Sequence, residues 1–456
     1  MKITVTAEEP QDNKVAAKLT IPAADVDAAI AKTYKDIAHK YNFQGFRRGH
    51  APRPVIDGII GKESVRAQAT NDLLNDAEPL MLDELDIVPI GQVDFGSDVK
   101  PAVDDTDYVI DVTINVRPAA ELSSYDAPEI NMPPEDVTDA EVEQQVKRYL
   151  TYQTTYEDLP EDQVAEKGDV VKVDVENVEG AEKLAGNDQS LTLEDDRVPA
   201  EVLDALVGTK AGDEKEVAWT VSHGEGDDAH EDSYKAKFTV KGVRRPHVPE
   251  LTDEYAKKGF GYDTVDAFKD AVRDEIAEDK KVSLPGLKED RVVEAVGERL
   301  TLDEIPENYQ NEVFNELGQE VLGQMQRQGI SLDMYLQARG IPVDDFIADL
   351  HEQAEERARQ SLALDAIVRQ LGLEATEEDV RSEFEKAGVK DVDASIEQWR
   401  SEGRLPAIRD SIKRTKALDW LVENAKVTVV DEAAEAAKAD EASDDAEAEA
   451  KDSAEE

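Results

Sequence analysis

From about residue 250 to residue 426 the apolar residues recur at i, i+3, i+4 and i+7 and hardly ever alternate. That period belongs to amphipathic helices, so this third of the chain is expected to be all-helical. "DTVDAFKDAVRDEIAEDKKV", "ENYQNEVFNELGQEVLGQMQRQG", "DDFIADLHEQAEERARQSLALDAIVRQLG", "TEEDVRSEFEKAG" and "PAIRDSIKRTKALDWLVENA" each carry it. "SLPG" (283–286) and "EIPEN" (304–308) read as breaks, since proline removes a helical hydrogen bond. A helix of roughly 25 residues spans about 38 Å, so 307–329 and 343–371 are long enough to be arms.

The first 118 residues have a different rhythm. "KITVT" and "KVAAKLT" alternate and read as a hairpin around "EEPQDN". Val26, Ile30, Tyr34 and Ile37 fall at helical spacing, with Asp25 near the N-cap. Residues 53–85 read as a second helical stretch. "TDYVIDVTINVRP" (106–118) alternates most cleanly of all and reads as a strand. The expectation is a compact α+β domain over 1–118.

A linker and connecting helix occupy 119–160, the helix starting near Thr138 with Glu141 at capping-box spacing. Residues 161–246 carry β-like runs separated by glycine and acidic turns, interrupted by "PAEVLDALVG". They read as a small antiparallel sheet with one packed helix. The helical domain covers 247–430. Residues 431–456 lack large apolar side chains and are expected to be disordered or at most transiently helical. The fold class is therefore α+β and multidomain, with an all-α C-terminal domain.

Composition narrows function. With 52 basic and 105 acidic residues the formal charge is −53, which opposes general binding to DNA, RNA or anionic lipid. There is no cysteine, so disulfides, thiolate metal sites and cysteine nucleophiles are excluded. The N-terminus has no signal-peptide core, and no run nears the ~18–20 apolar residues of a membrane helix. A cytoplasmic protein without a membrane partner is expected, and no cofactor or metal is expected either. "HEQAE" (351–355) lacks the second histidine of a zinc helix and reads as a charged face. "HGEGDDAHED" (223–232) reads as a mobile acidic hairpin turn, with divalent-cation binding as the alternative.

One stretch runs against this acidity. "NFQGFRRGHAPRPV" (42–55) sets Arg47, Arg48, His50 and Arg53 around Phe46. Gly45 and Gly49 permit tight turns, and Pro52 and Pro54 stiffen the exit. The two arginines offer planar forks for phosphate or carboxylate. Two readings stay open: Phe46 as an apolar anchor on an exposed docking tip, or Phe46 tucked into the core beneath an ordinary solvated turn.

"GFRRGHAP" (45–52) resembles the ribosome-docking signature of the bacterial trigger factor family, GFRxGxxP, and the order of segments is similar over about 1–430. The resemblance implies a chaperone that docks beside the exit tunnel of the large ribosomal subunit, touching a ribosomal protein and nearby rRNA. It holds nascent and unfolded chains, and self-association off the ribosome stays open. By this resemblance Gly45, Phe46, Arg47, Arg48, Gly49 and Pro52 would be the docking residues, with His50 where another basic residue is frequent. The family is also associated with protein transport and cell division.

Residues 161–246 resemble an FKBP-type peptidyl-prolyl isomerase domain, and the resemblance frays at the pocket. Where the family has V-x-[IV]-D-[FY]-x-G the chain reads "VKVDVEN" (171–177), so Val175 replaces an aromatic residue. Where it has I-P-G-F-E the chain reads "VPAEV" (198–202). Asp174, Val175, Val198 and Pro199 are the implied pocket candidates, with Trp219 or Phe238 as substitute surface. Weakened isomerase activity is expected. Two further functions stay in view: a prolyl isomerase first and foremost, and an acidic holdase for basic clients such as unassembled ribosomal proteins, acting off the ribosome. The −53 charge and the 431–456 tail favour the latter.

Overall fold

A computed structural model describes the chain except residues 183, 195–196, 224–229, 303 and 439–456, and gives only the backbone of 222–223 and 230–231. It divides into two compact units, one formed by residues 1–132 and 285–429, the other centred on 133–284.

In the first unit, β1 (Thr4–Ala7), β2 (Lys14–Ile21) and β3 (Tyr108–Asn115) form an antiparallel sheet in the order β1-β2-β3. Lys14 to Ile21 pair with Asn115 to Tyr108 without a slip. Strict alternation puts Val15, Leu19 and Ile21 of β2 on the buried face, which pins the register. Helices α1 (Ala23–Lys40), α2 (Arg53–Ile60) and α3 (Lys62–Leu85) complete this α+β part, and Val26, Ile30, Leu73 and Met81 share the sheet's core. Residues 53–85 are thus two helices rather than one stretch: the chain turns at Gly61, whose φ is 95°.

The rest of the unit is mainly helical: α8 (Glu307–Arg327), α9 (Leu332–Arg339), α10 (Val343–Leu371), α11 (Glu377–Lys386), α12 (Val392–Ser401) and α13 (Leu405–Asn424). Helix α8 packs on α10, where His351 of "HEQAE" stacks on Phe314 at 4.0 Å between ring centres. A four-residue strand, β10 (Lys426–Val429), pairs in parallel with β4 (Glu129–Met132).

Charge also joins the two halves of this unit. Arg117, just beyond β3, meets Asp365 of α10 at 3.2 Å and Asp410 of α13 at 2.6 Å, and Arg414 meets Asp365 at 2.7 Å. Arg409 of α13 pairs with Asp83 and Asp86 at the end of α3, and Lys413 with Asp86. Burial pushes the Asp365 carboxyl up to about 7, against the pull of Arg117.

The second unit begins with α4 (Asp139–Tyr152), whose predicted capping box is present. Glu141 N–H donates to Thr138 Oγ1 at 3.3 Å, and Thr138 N–H donates to Glu141 Oε2 at 2.9 Å. A sheet follows from β5 (Thr155–Asp158), β6 (Val170–Glu179), β7 (Gly186–Thr192), β8 (Glu214–His223) and β9 (His230–His247), with α5 (Ala200–Leu206) packed against it. Strand β9 is the hub and pairs with β5, β6 and β8. Then come a short α6 (Asp253–Tyr255) and a π-helical turn at Ala256–Phe260, which stacks Phe260 on Phe268 at 4.3 Å.

Helix α7 (Val265–Gly297) corrects the expected break at "SLPG": it runs through Pro285, where the division between the units falls. An internal proline costs about 3 kcal/mol because it frees one carbonyl. Residues 281–283 and 285–286 are exposed, so water can satisfy that carbonyl. Side chains hold the helix on both sides of the proline. Lys280 donates to the carbonyls of Pro134 and Asp136 and pairs with Glu141. Arg291 donates to the carbonyl of Asn131 at 2.6 Å.

Of the segment expected to be disordered, 432–438 are helical, and the tail beyond 438 lies outside the described residues. So does most of the 223–232 hairpin turn. No helix among the described residues is long and apolar enough to cross a membrane.

Candidate functional site

Helix α1 ends at Lys40, and Tyr41 caps it by donating its N–H to the Ile37 carbonyl. The helical period would put Tyr41 on the buried face, four residues after Ile37. The chain leaves the helix there instead, so Tyr41 is exposed and Phe43 enters the core, 6% exposed. Burying a side chain of this size contributes about 2–3 kcal/mol, enough to anchor the base of the loop.

Two tight turns follow. Phe46 N–H donates to the Phe43 carbonyl at 3.1 Å, and His50 N–H donates to the Arg47 carbonyl at 2.9 Å. Gly45 and Gly49 sit at φ 87° and 86°, a conformation strained for any residue with a Cβ. A Cβ at Gly49 would also lie 2.3 Å from Cε1 of His39, so that exposed ring would have to swing away. Phe46 is left 42% exposed at the tip, with Arg47, Arg48 and His50 exposed beside it. The tucked phenylalanine is Phe43, and Phe46 is free to serve as an anchor.

The four basic residues of the stretch are not equivalent. Arg53 belongs to the domain beneath: its guanidinium lies 4.8 Å from the Tyr34 ring centre and pairs with Asp104, which also holds Arg66. Tyr34 donates to Asp57, and burial together with that carboxylate raises the phenol to about 12. Arg48 turns back and donates from Nε to the His39 carbonyl. Arg47 makes no side-chain hydrogen bond or ion pair among the described residues. Pro52 is the N-cap of α2, in extended conformation, with Arg53 and Pro54 opening the helix. Exposed Tyr41 and Ile59, the latter at 66%, extend the apolar surface of this N-terminal part. Neither they nor His39 stood out in the sequence. His39 could have been found only by knowing where α1 ends.

Of the insert's pocket candidates, Val175, Val198 and Pro199 lie at or beneath α5, and Asp174 lies apart from them. Strand alternation sends Val171, Val173 and Val175 of β6 inward and Asp174 to the opposite face. There Asp174 pairs with Lys241 at 2.7 Å and accepts the Asp188 N–H; these partners hold its carboxyl below the usual range. Val175 and Val198 join the buried cluster beneath α5, and Pro199 serves as the N-cap of that helix. Trp219 and Phe238, considered as substitute pocket walls, are both buried in the same core, 6.2 Å apart, with Tyr234 stacked on Trp219. Asp169 is buried at the sheet's end. Burial alone would raise its carboxyl, but two hydrogen bonds from Arg245 and one from the Glu166 N–H bring it below the usual range.

Comparison with known proteins agrees with the family resemblance. Residues 1–149 match the model of the bacterial trigger factor protein, and residues 264–423 match that of the trigger factor C-terminus. A trigger factor of Halalkalibacterium halodurans is 30% identical over 436 residues, covering 93% of this chain and 99% of its own. One of Lysinibacillus sphaericus is 30% identical over 428 residues, covering 92% and 99%. A solved trigger factor chaperone chain is 22% identical and covers 92% of this chain and 99% of its own, with a TM-score of 0.35. The two curated relatives at 30% identity, each matched over more than nine-tenths of this chain, show that the chain belongs to the bacterial trigger factor family.

Proposed function

We infer that the chain is a ribosome-associated molecular chaperone of the cytoplasm that docks near the exit tunnel through Gly45, Phe46, Arg47, Arg48, Gly49 and Pro52. The observation that carries this reading is the exposed Phe46–Arg47 tip on a backbone pinned to α1. A −53 body is repelled by rRNA, so a local basic tip gives reversible, salt-sensitive attachment. Clients are held by the helices. Leu322 of α8, Met334 of α9, and Val343 and Ile347 of α10 are all exposed, and contact spread over such residues is weak enough to release a chain to fold.

The test is co-sedimentation with vacant bacterial ribosomes over a salt series. The full chain is expected to pellet and to be released by salt. A folded Phe46→Ala, Arg47→Ala, Arg48→Ala triple variant is expected to bind at least about tenfold more weakly, or about 1.4 kcal/mol. Equal pelleting of both would mean that the loop is not the ribosome contact, and pelleting of neither would favour the acidic holdase for basic clients.

The insert is read as an isomerase scaffold with weakened activity. Twisting a prolyl amide against a barrier of ~18–20 kcal/mol needs an apolar, well-walled pocket. Here valine replaces an aromatic wall, and the two nearby large aromatics are sunk in the core. Proline-limited refolding phases, which take tens of seconds, are expected to quicken little in its presence. Strong acceleration at catalytic concentration would overturn this reading.

A further inference from the structure

The two adjacent arginines of the tip face different tasks. A helix leaves its last carbonyls without intrahelical partners and carries partial negative charge at that end. In α1 the tip itself supplies the missing donors. Gly49 N–H donates to the Ala38 carbonyl at 2.8 Å, and Arg48 Nε donates to the next carbonyl, that of His39. The His39 ring fills the space that a Cβ at position 49 would need. Arg48 is thus held by the end of α1, while Arg47 lies between the two tight turns with no partner among the described residues.

We propose that Arg48 is a positioning residue: it locks the tip onto α1 through its hydrogen bond to the His39 carbonyl, while Arg47 supplies the cation that meets the ribosome. This rests on the docking reading above and assigns the division of labour within it. The lock removes loop freedom before docking, so less ordering remains to be done on contact. It requires a donor at the position of Nε, and the charge beside the helix end only strengthens it. Glutamine has that donor: its Nε2 stands the same number of bonds from Cα as arginine Nε, and it is uncharged.

The experiment uses the full chain and its Arg47→Ala, Arg48→Ala and Arg48→Gln variants, with two readouts. One is affinity for vacant ribosomes against salt; the other is amide exchange at Gly49 in the free protein. Arg47→Ala is expected to weaken binding, to lower the slope of log affinity against log salt by about 0.7–0.9, and to leave Gly49 protected. Arg48→Ala is expected to weaken binding several-fold, keep the slope and speed Gly49 exchange. Arg48→Gln is expected to restore affinity and protection together. If Arg48→Gln binds as poorly as Arg48→Ala with a reduced slope, Arg48 is a charge contact and the proposal fails. If Gly49 exchange is the same in Arg48→Ala as in the parent, the lock does not exist. Absence of ribosome binding by the parent chain would defeat the docking reading instead, and the exchange result in the free protein would still decide the lock.

Discussion

Arg47 and Arg117 are the same side chain in opposite settings. Arg47 sits exposed on a tip, without a partner among the described residues. Arg117 is enclosed between Asp365 and Asp410, with Tyr309 nearby. In a chain with two acids for every base, many cations find a carboxylate inside their own domain. The outer face of the insert shows this well: Lys235 pairs with Glu216, Lys237 with Glu214 and Lys241 with Asp174. An arginine left over in such a protein is therefore informative about an external partner, whereas a buried one is informative about how two segments are joined.

The largest effect is expected at the buried site. Arg117→Ala leaves Asp365 and Asp410 facing each other with less compensation, at a cost of about 3–5 kcal/mol near pH 8. The cost should be smaller at pH 5, where a raised Asp365 carries its proton; urea unfolding at the two pH values checks this. Next comes Asp365 itself. Its folded-state value, about 7, is above that of the unfolded chain, so the folded protein holds a proton the unfolded one has released. That contribution is complete below about pH 4 and is lost as pH rises through about 7. Between pH 5 and 8 stability is expected to fall by on the order of 2 kcal/mol on this account. Asp365→Asn should flatten the profile; an equally steep profile in the variant would place the titration elsewhere. Arg47→Ala is expected to change unfolding by less than about 0.5 kcal/mol while weakening ribosome binding, the inverse of Arg117→Ala. The smallest effect belongs to Lys235→Ala, whose exposed pair with Glu216 is screened by water and salt, so the urea-unfolding midpoint is expected to stay almost unchanged.

Elements with a local cause were legible in the sequence. The alternation of 106–118 became β3, and Thr138 with Glu141 made the cap of α4. The glycines of "GFRRGHAP" announced a tight tip because positive φ needs them. What depended on distant partners was not legible. "KVTV" becomes β10 only because β4, about 300 residues earlier, offers an edge. Arg117 could not be matched to Asp365 or Asp410 by any spacing. Phe43 and Phe46 are indistinguishable until the end of α1 decides which one turns inward. Pro285 carried a real breaking tendency, outweighed by contacts made on either side of it. The insert's core aromatics could be read as pocket walls because sequence does not say on which side of a sheet a filled space lies.

The parallel pairing of β4 with β10 has a consequence for the chain's own birth. The five strands of the insert all lie between Thr155 and His247, so their sheet can form as soon as those residues have been synthesised. The unit that bears the Phe46–Arg47 tip cannot, because its second half begins at residue 285 and its closing strand ends at Val429. Domains generally fold as units during synthesis, in the order in which they become complete. The insert's sheet is therefore expected to form before the unit around it is complete. A nascent copy truncated before Lys426 is expected to have a protease-resistant insert while β4 still lacks its partner.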